Sequence, residues 1–354
     1  MNRISVLVVD DSAAMRSLLT HILNQDPQIN VVGTAPNADI ARTKIKALNP
    51  DVMTLDIEMP GMDGLAFLEK VMTLRAMPVV MVSSMTQQGA DSTMRALMLG
   101  AVDFIGKPDI AMNRDISSFA TSLTLKVKAA AQANIHSLPR QPGSQILNTV
   151  NAAQGCNDAI IAIGASTGGV GTITELLNQL HINLPPVVIA QHIPPVFSDS
   201  FARRLNQQLP YTVKEAEDNE PLQVNHVYIA PGDRHLVIEH RHTTRVCKLL
   251  IGPRVNHHIP SVDVLFTSLL NYGSAAMGIL LTGMGDDGAR GLLQMKNAGA
   301  MTIAQDEQSS VVWGMPGAAV SMGAACQVLG VEAIASQLTE SLTRGHLKPK
   351  RVAT

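Results

Sequence analysis

Short apolar runs recur along the chain, separated by stretches in which apolar residues return at helical spacing. Over residues 1–125 the runs are ISVLVVD, INVVGTA, DVMTLDI, MPVVMVSS and AVDFIGK, and the stretches between them include MRSLLTHIL, DIARTKIKAL, LAFLEKVM and DSTMRALMLG. Strands alternating with amphipathic helices predict crossover units on a parallel sheet, and runs without polar alternation predict strands covered on both faces. Near Ala129 the pattern decays, and Pro139, Pro142 and Gly143 stand among Gln, Asn and Ser, so residues 126–157 read as a linker that a helix can enter. A second alternation opens at Ala159 with AIIAIG and continues through PPVVIAQH, HVYIAPG, HLVIE, MGILLTGMG and AMTIAQ. Residues 158–345 therefore predict a second, doubly wound and mostly parallel α/β domain, with a frayed basic tail over 346–354.

Composition narrows the function classes. The 354 residues are 46% hydrophobic and 16% charged, a balance that supports buried cores and excludes a disordered chain. A net charge of -2 gives no general attraction for nucleic acid, and 3% aromatic residues provide no stacking platform for single strands. Cys156, Cys247 and Cys326 are odd in number and widely spaced, which argues against a disulfide framework or a cysteine zinc site. The start MNRISVLVVDD has no signal-peptide pattern and no apolar stretch is long enough to span a bilayer, so a cytoplasmic chain without membrane insertion is expected.

Three carboxylates close strands in the first domain: Asp10 and Asp11 after SVLVV, and Asp56 after DVMTL. In an open parallel sheet that edge is where ligands bind, and carboxylates gathered there call for a hard divalent cation such as Mg²⁺. Ser83 ends MPVVMV and Lys107 ends AVDFIG, adding a hydroxyl and an ammonium to the same edge. Each Asp taken alone reads better as a helix cap. Five polar groups closing successive strands, with DIEMPGMDG behind Asp56, fit a site better. Residues 1–125 resemble a response-regulator receiver domain of flavodoxin-like fold. The resemblance implies Asp56 as phosphoacceptor, Asp10, Asp11 and Asp56 as the Mg²⁺ ligands, Ser83 as the switch hydroxyl and Lys107 as the phosphate contact. Ser83 stands where Thr is common, and it keeps the hydroxyl.

In the second domain, Gly164-Ala165-Ser166-Thr167-Gly168-Gly169 follows a strand and opens a helix, matching G-x-S-x-G, the turn that exposes a nucleophilic serine. A glycine-rich dinucleotide loop is the competing reading, but PPVVIAQH ends in Gln191 and His192 where a ribose-binding acid is expected. His192, at the same strand edge, is the favoured base, with His235 and His257 or His258 as alternatives, whereas His226, His240 and His242 read as surface positions. Asp286 and Asp287 follow GILLTG and offer an orienting carboxylate.

The segment from about 158 to 343 resembles the catalytic domain of the chemotaxis protein-glutamate methylesterase family, known as CheB. The residues that carry the resemblance are IGASTGG, QHIPPVFSDSFARRL, YIAPGDRHL, PSVDVLF, LTGMGDDGARGL and QDEQSSVVWGMPGAAV. It implies Ser166 as nucleophile, His192 as base, Asp287 rather than Asp286 as the catalytic Asp, and backbone amides near Thr167 and Met284 as oxyanion contacts. The implied function is a phosphorylation-controlled serine hydrolase that removes methyl esters from glutamates of methyl-accepting chemoreceptors and deamidates receptor glutamines. The esterase step would need no cofactor, the phosphodonor would be the chemotaxis histidine kinase, and the unphosphorylated receiver would cover the Ser166 edge. Two other classes compete: a receiver joined to a DNA-binding module, disfavoured by the size and weak basicity of the second domain, and a catalytically silent anion-binding module.

Overall fold

Uninterrupted runs of Val, Ile, Leu and Met form the strands of the first unit: β1 (Ile4–Val9), β2 (Ile29–Ala35), β3 (Val52–Asp56), β4 (Val79–Ser83) and β5 (Asp103–Gly106). They pair in parallel in the order β2-β1-β3-β4-β5. Residues of β3 and β4 are buried at every position, as expected for inner strands covered on both faces. The helices are α1 (Ala13–Asn24), α2 (Ala38–Leu48), α3 (Gly64–Arg75), α4 (Gln87–Met98) and α5 (Ile116–Ala131). Short polar side chains start four of them: Ser12 accepts from Met15 N, Asn37 from Ile40 N, Asp63 from Leu65 N and Thr86 from Gly89 N. Ser12 is the cap of α1, so capping does not account for Asp10 and Asp11.

Helix α5 runs past residue 125 to Ala131, and the first residues of the expected linker are therefore helical. The cause is spacing: Phe119, Leu123, Val127 and Ala130 are all buried and return every turn, so the amphipathic face continues beyond the assigned end. Lys128 adds an ion pair to Asp26 at 2.6 Å.

This computed structural model describes residues 3–59, 63–108, 116–135, 158–180, 182–242 and 244–344. The chain divides into two compact units, Met1–Gln141 and Pro142–Thr354. The rest of the linker from 136, Cys156, the tail 346–354 and Pro60 to Met62 of the turn after Asp56 lie outside the described residues. Among the described residues no helix is long and apolar enough to cross a membrane.

The strands of the second unit are β6 (Ile160–Ala165), β7 (Val187–Gln191), β8 (Thr212–Glu215), β9 (His226–Ile229), β10 (His235–Arg241), β11 (Thr244–Leu250), β12 (Ala276–Leu280), β13 (Met301–Gln305) and β14 (Gln327–Leu329). The helices are α6 (Gly169–Asn178), α7 (Pro195–Gln208), α8 (Val262–Thr267), α9 (Ala289–Asn297), α10 (Met315–Ser321) and α11 (Val331–Thr343). Seven strands pair in parallel in the order β14-β13-β12-β6-β7-β9-β8. HLVIE, read as one more strand of the domain, instead forms an antiparallel hairpin of β10 and β11, outside that sheet. Both inner neighbours of β6 are parallel to it, and chain order reverses there: β7 follows on one side, and β12 returns on the other. Such a switch point opens a crevice at the carboxyl ends of the strands.

Candidate functional site

In the first unit the parallel pairing brings the carboxyl ends of β1, β3, β4 and β5 to one edge. Lys107 Nζ donates to Asp56 Oδ2 at 2.7 Å and faces Asp10 Oδ2 at 3.5 Å. Burial pushes the Asp56 carboxyl up to about 6, and the Asp10 charge adds to that, against the contact with Lys107. Burial likewise raises Asp10. Ligand atoms of Asp10, Asp11 and Asp56 lie within 4.8 Å of one another. Asp10 Oδ2 is buried and accepts no hydrogen bond, so the donor set is all hard oxygen with one oxygen still unsatisfied. A divalent cation fits that set by charge and ligand type.

Ser83 closes β4 one residue beyond Val82, the register partner of Asp56. Its hydroxyl nevertheless turns toward α4: Ser83 Oγ is 3.2 Å from Gly89 O and accepts from Thr93 Oγ1 at 2.7 Å. None of its hydrogen bonds reaches Asp56. The buried Thr93 was not legible as part of this site, because one Thr inside a helix carries no sequence signal.

In the second unit the crevice at β6 collects Ser166, His192 and Asp287 from three neighbouring strand ends. Ser166 sits between β6 and α6, with its N–H donating to Thr282 O at 3.0 Å and its carbonyl accepting from Gly169 N at 2.8 Å and Gln191 Nε2 at 2.9 Å. Two glycines make the elbow possible. Gly168 has φ +78°, and a Cβ there would lie 2.6 Å from Val311 Cβ; a Cβ on Gly283 would lie 2.8 Å from Ser166 Cβ. Thr167 follows Ser166 and is buried, and Met284 follows Gly283, so both oxyanion candidates adjoin the serine in sequence or space.

His192 follows β7, and its Nε2 lies 2.9 Å from Asp287 Oδ2. Its other nitrogen, Nδ1, is buried with no hydrogen-bond partner. Asp286 is exposed and Asp287 buried, so the two neighbouring acids face opposite environments. Asp287 Oδ1 accepts from Ser261 Oγ and Asn256 Nδ2, both at 2.8 Å, and Oδ2 accepts from Val262 N at 2.7 Å. Burial alone would raise its carboxyl. The hydrogen bond and charge of His192, with Asn256 and Val262 N, more than offset burial and hold Asp287 well below the usual carboxylate range.

The alternative histidines separate clearly. His235 is buried with both ring nitrogens engaged: Nδ1 accepts from Ser261 N at 3.1 Å, and Nε2 lies 3.0 Å from Pro253 O. That fixes the loop from 253 to 261 and leaves no nitrogen for base work. His257 is exposed. His258 lies flat on His192, with ring centroids 3.7 Å apart and planes inclined by 7°. Asn256 and Ser261 were missed as individual contributors to the site. Ser261 had a signal, since it precedes an apolar run and caps α8.

Comparison with known proteins agrees with this layout. Residues 161–338 match the family described as CheB methylesterase, and residues 6–114 match the response regulator receiver domain. A relative from Hahella chejuensis named protein-glutamate methylesterase/protein-glutamine glutaminase 1 is 53% identical over 342 residues, covering 94% of this chain and 95% of the relative. One of the same name from Xanthomonas campestris pv. campestris is 50% identical over 344 residues, covering 95% of this chain and 96% of the relative. The crystal structure of the Thermotoga maritima CheB methylesterase catalytic domain is 38% identical with a TM-score of 0.50, covering 51% of this chain and 97% of that one.

Proposed function

The chain belongs to the CheB methylesterase family, with a response-regulator receiver ahead of the catalytic domain, and from that premise we propose that Ser166, His192 and Asp287 hydrolyse γ-glutamyl methyl esters of chemoreceptors. The observation that carries the reading is the 2.9 Å contact of His192 Nε2 with Asp287 Oδ2 beside the Ser166 turn, where His192 N–H donates to Ala165 O and Gln191 Nε2 to Ser166 O.

With Nε2–H donated to Asp287, Nδ1 is the basic nitrogen left to serve Ser166. The Ser166 hydroxyl proton passes to His192 Nδ1 as Oγ bonds to the ester carbonyl carbon, and the carbonyl oxygen becomes an oxyanion near the Thr167 and Met284 amides. The C–O bond to methanol then breaks, and the proton on His192 leaves with the methoxy oxygen. Water attacks the acyl-enzyme and gives one proton to His192; the tetrahedral intermediate collapses as the C–Oγ bond breaks, the product acid losing its own proton to solvent as glutamate, while His192 holds the other. That proton returns to Ser166 Oγ. For a glutamine side chain the same sequence releases ammonia. Asp287 stays ionised throughout, which stabilises the imidazolium form of His192.

In the receiver, Asp56 is the phosphoacceptor, Lys107 contacts the phosphoryl group, and Ser83 turns from α4 toward it. Asp10, Asp11 and Asp56 would hold a Mg²⁺ ion, which when bound supplies positive charge to the phosphoryl oxygens. The donor is a chemotaxis histidine kinase, and the chain works in the cytoplasm. The receiver function belongs to the first domain, taken through the end of α5 at Ala131, and the hydrolase function to residues 158–345. Labelling by a serine-acylating probe tests the nucleophile: the account expects one adduct, on Ser166, that His192→Ala suppresses. A passive anion site would give no stable adduct.

A further inference from the structure

The role of His258 is not settled by naming Ser166, His192 and Asp287. A single hydrogen bond from Nε2 to Asp287 fixes one nitrogen of His192 and leaves the ring free to swing about that contact, because the imidazole torsion is broad. Swinging would change the direction of Nδ1, the nitrogen that the proposed mechanism assigns to Ser166. His258 removes this freedom on geometric grounds: its ring covers one face of His192 in a near-parallel stack, 3.7 Å between centroids. The stack covers a ring face and leaves both nitrogens, at the ring edge, clear of His258.

His258 is itself held firmly. Its N–H and carbonyl close a small loop with Val255 at 2.9 and 3.1 Å, and the loop is anchored by His235 at Pro253 and Ser261. The same loop delivers Asn256 and Ser261 to Asp287. One segment therefore orients both partners of the proton relay. We propose that His258 is a positioning residue that acts through its flat ring, holding the plane of His192 so that Nδ1 stays aimed at Ser166.

The stack also suits the charge that develops. Burial, then the neighbouring His192, pushes His258 down to about 4, against the opposing pull of Asp287, with Arg254 and His257 adding in the same direction as His192. A proton taken by His192 thus meets a neutral ring face.

The inference rests on the assignment of Ser166 and His192, and the test keeps the two apart. Methanol release from methyl-esterified receptor membranes is measured for the full chain and for Ser166→Ala, His258→Phe, His258→Leu and His258→Ala. His258→Phe keeps a flat ring and loses both nitrogens; His258→Leu keeps apolar bulk and loses planarity. The expected result is His258→Phe within about threefold of wild type in kcat, with His258→Leu and His258→Ala down on the order of 10- to 100-fold and KM within about twofold, the cost of a misaimed base. His258→Leu at wild-type kcat, or His258→Phe as impaired as His258→Leu, overturns the positioning role while Ser166→Ala still abolishes activity. Release that survives Ser166→Ala overturns the underlying assignment instead.

Discussion

At the residue scale, environment divides neighbouring groups of the same type. Asp286 and Asp287 are adjacent, yet only Asp287 is buried and collects donors from His192, Ser261, Asn256 and Val262 N. Asp287→Asn would leave the hydrogen-bond count nearly intact while removing the charge and favouring the wrong tautomer of His192. It should lower kcat by about 10³ to 10⁴, read as methanol release at neutral pH. Asp56 lies at the other extreme. A carboxyl pushed up to about 6 from an unfolded value of 3.8 makes its charged form a cost to folding, absent below the unfolded value and fully present above the folded one. Metal-free Asp56→Asn should therefore melt higher than metal-free wild type at pH 8, with the difference vanishing near pH 3. Added Mg²⁺ should raise the melting temperature of the receiver transition in wild type more than in Asp56→Asn.

At the scale of elements, the inner strands were legible because burial on both faces leaves a plain signature: VVMVS and IIAIGA are unbroken by charge, and both are buried along their whole length. The edge strands of the second sheet were not. β8 reads TVKE and β14 reads QVL, short segments with exposed positions and no period to detect. Of the hairpin, β10 was legible as the strand HLVIE, but β11 and the separate sheet were not, since pairing partners are a tertiary property. A helix entering the linker was legible but its end was not, because alanines and lysines dilute the apolar face, although Val127 and Ala130 are fully buried. Truncating the chain after residue 125 should thus destabilise the isolated receiver relative to one ending at 135, by about 2 to 4 kcal/mol in urea melts, from losing Val127, its neighbouring alanines and the Lys128 ion pair.

At the scale of the whole molecule, sequence motifs pointed to Ser166, His192, the Asp286–Asp287 pair and the acidic edge because strand ends of a parallel sheet converge by topology alone, and the choice of Asp287 came from the resemblance. What they could not locate is the support around those groups: Asn256 comes from an irregular loop and Thr93 from inside a helix, with no periodicity to mark them, and His258 of the same loop was read as an alternative base rather than as a ring stacked on His192. The account joins two chemistries in one chain, an acyl phosphate made on Asp56 and an ester cleaved at Ser166. Its central claim is that the first controls the second. The direct measurement is methanol release from methyl-esterified receptor membranes for wild type, Asp56→Asn and Ser166→Ala, each with and without Mg²⁺ and a small phosphodonor. The account predicts release that rises with phosphodonor in wild type, stays at the basal rate in Asp56→Asn and is absent in Ser166→Ala. An Asp56→Asn enzyme that responds fully to phosphodonor, or a Ser166→Ala enzyme that still releases methanol, would contradict it.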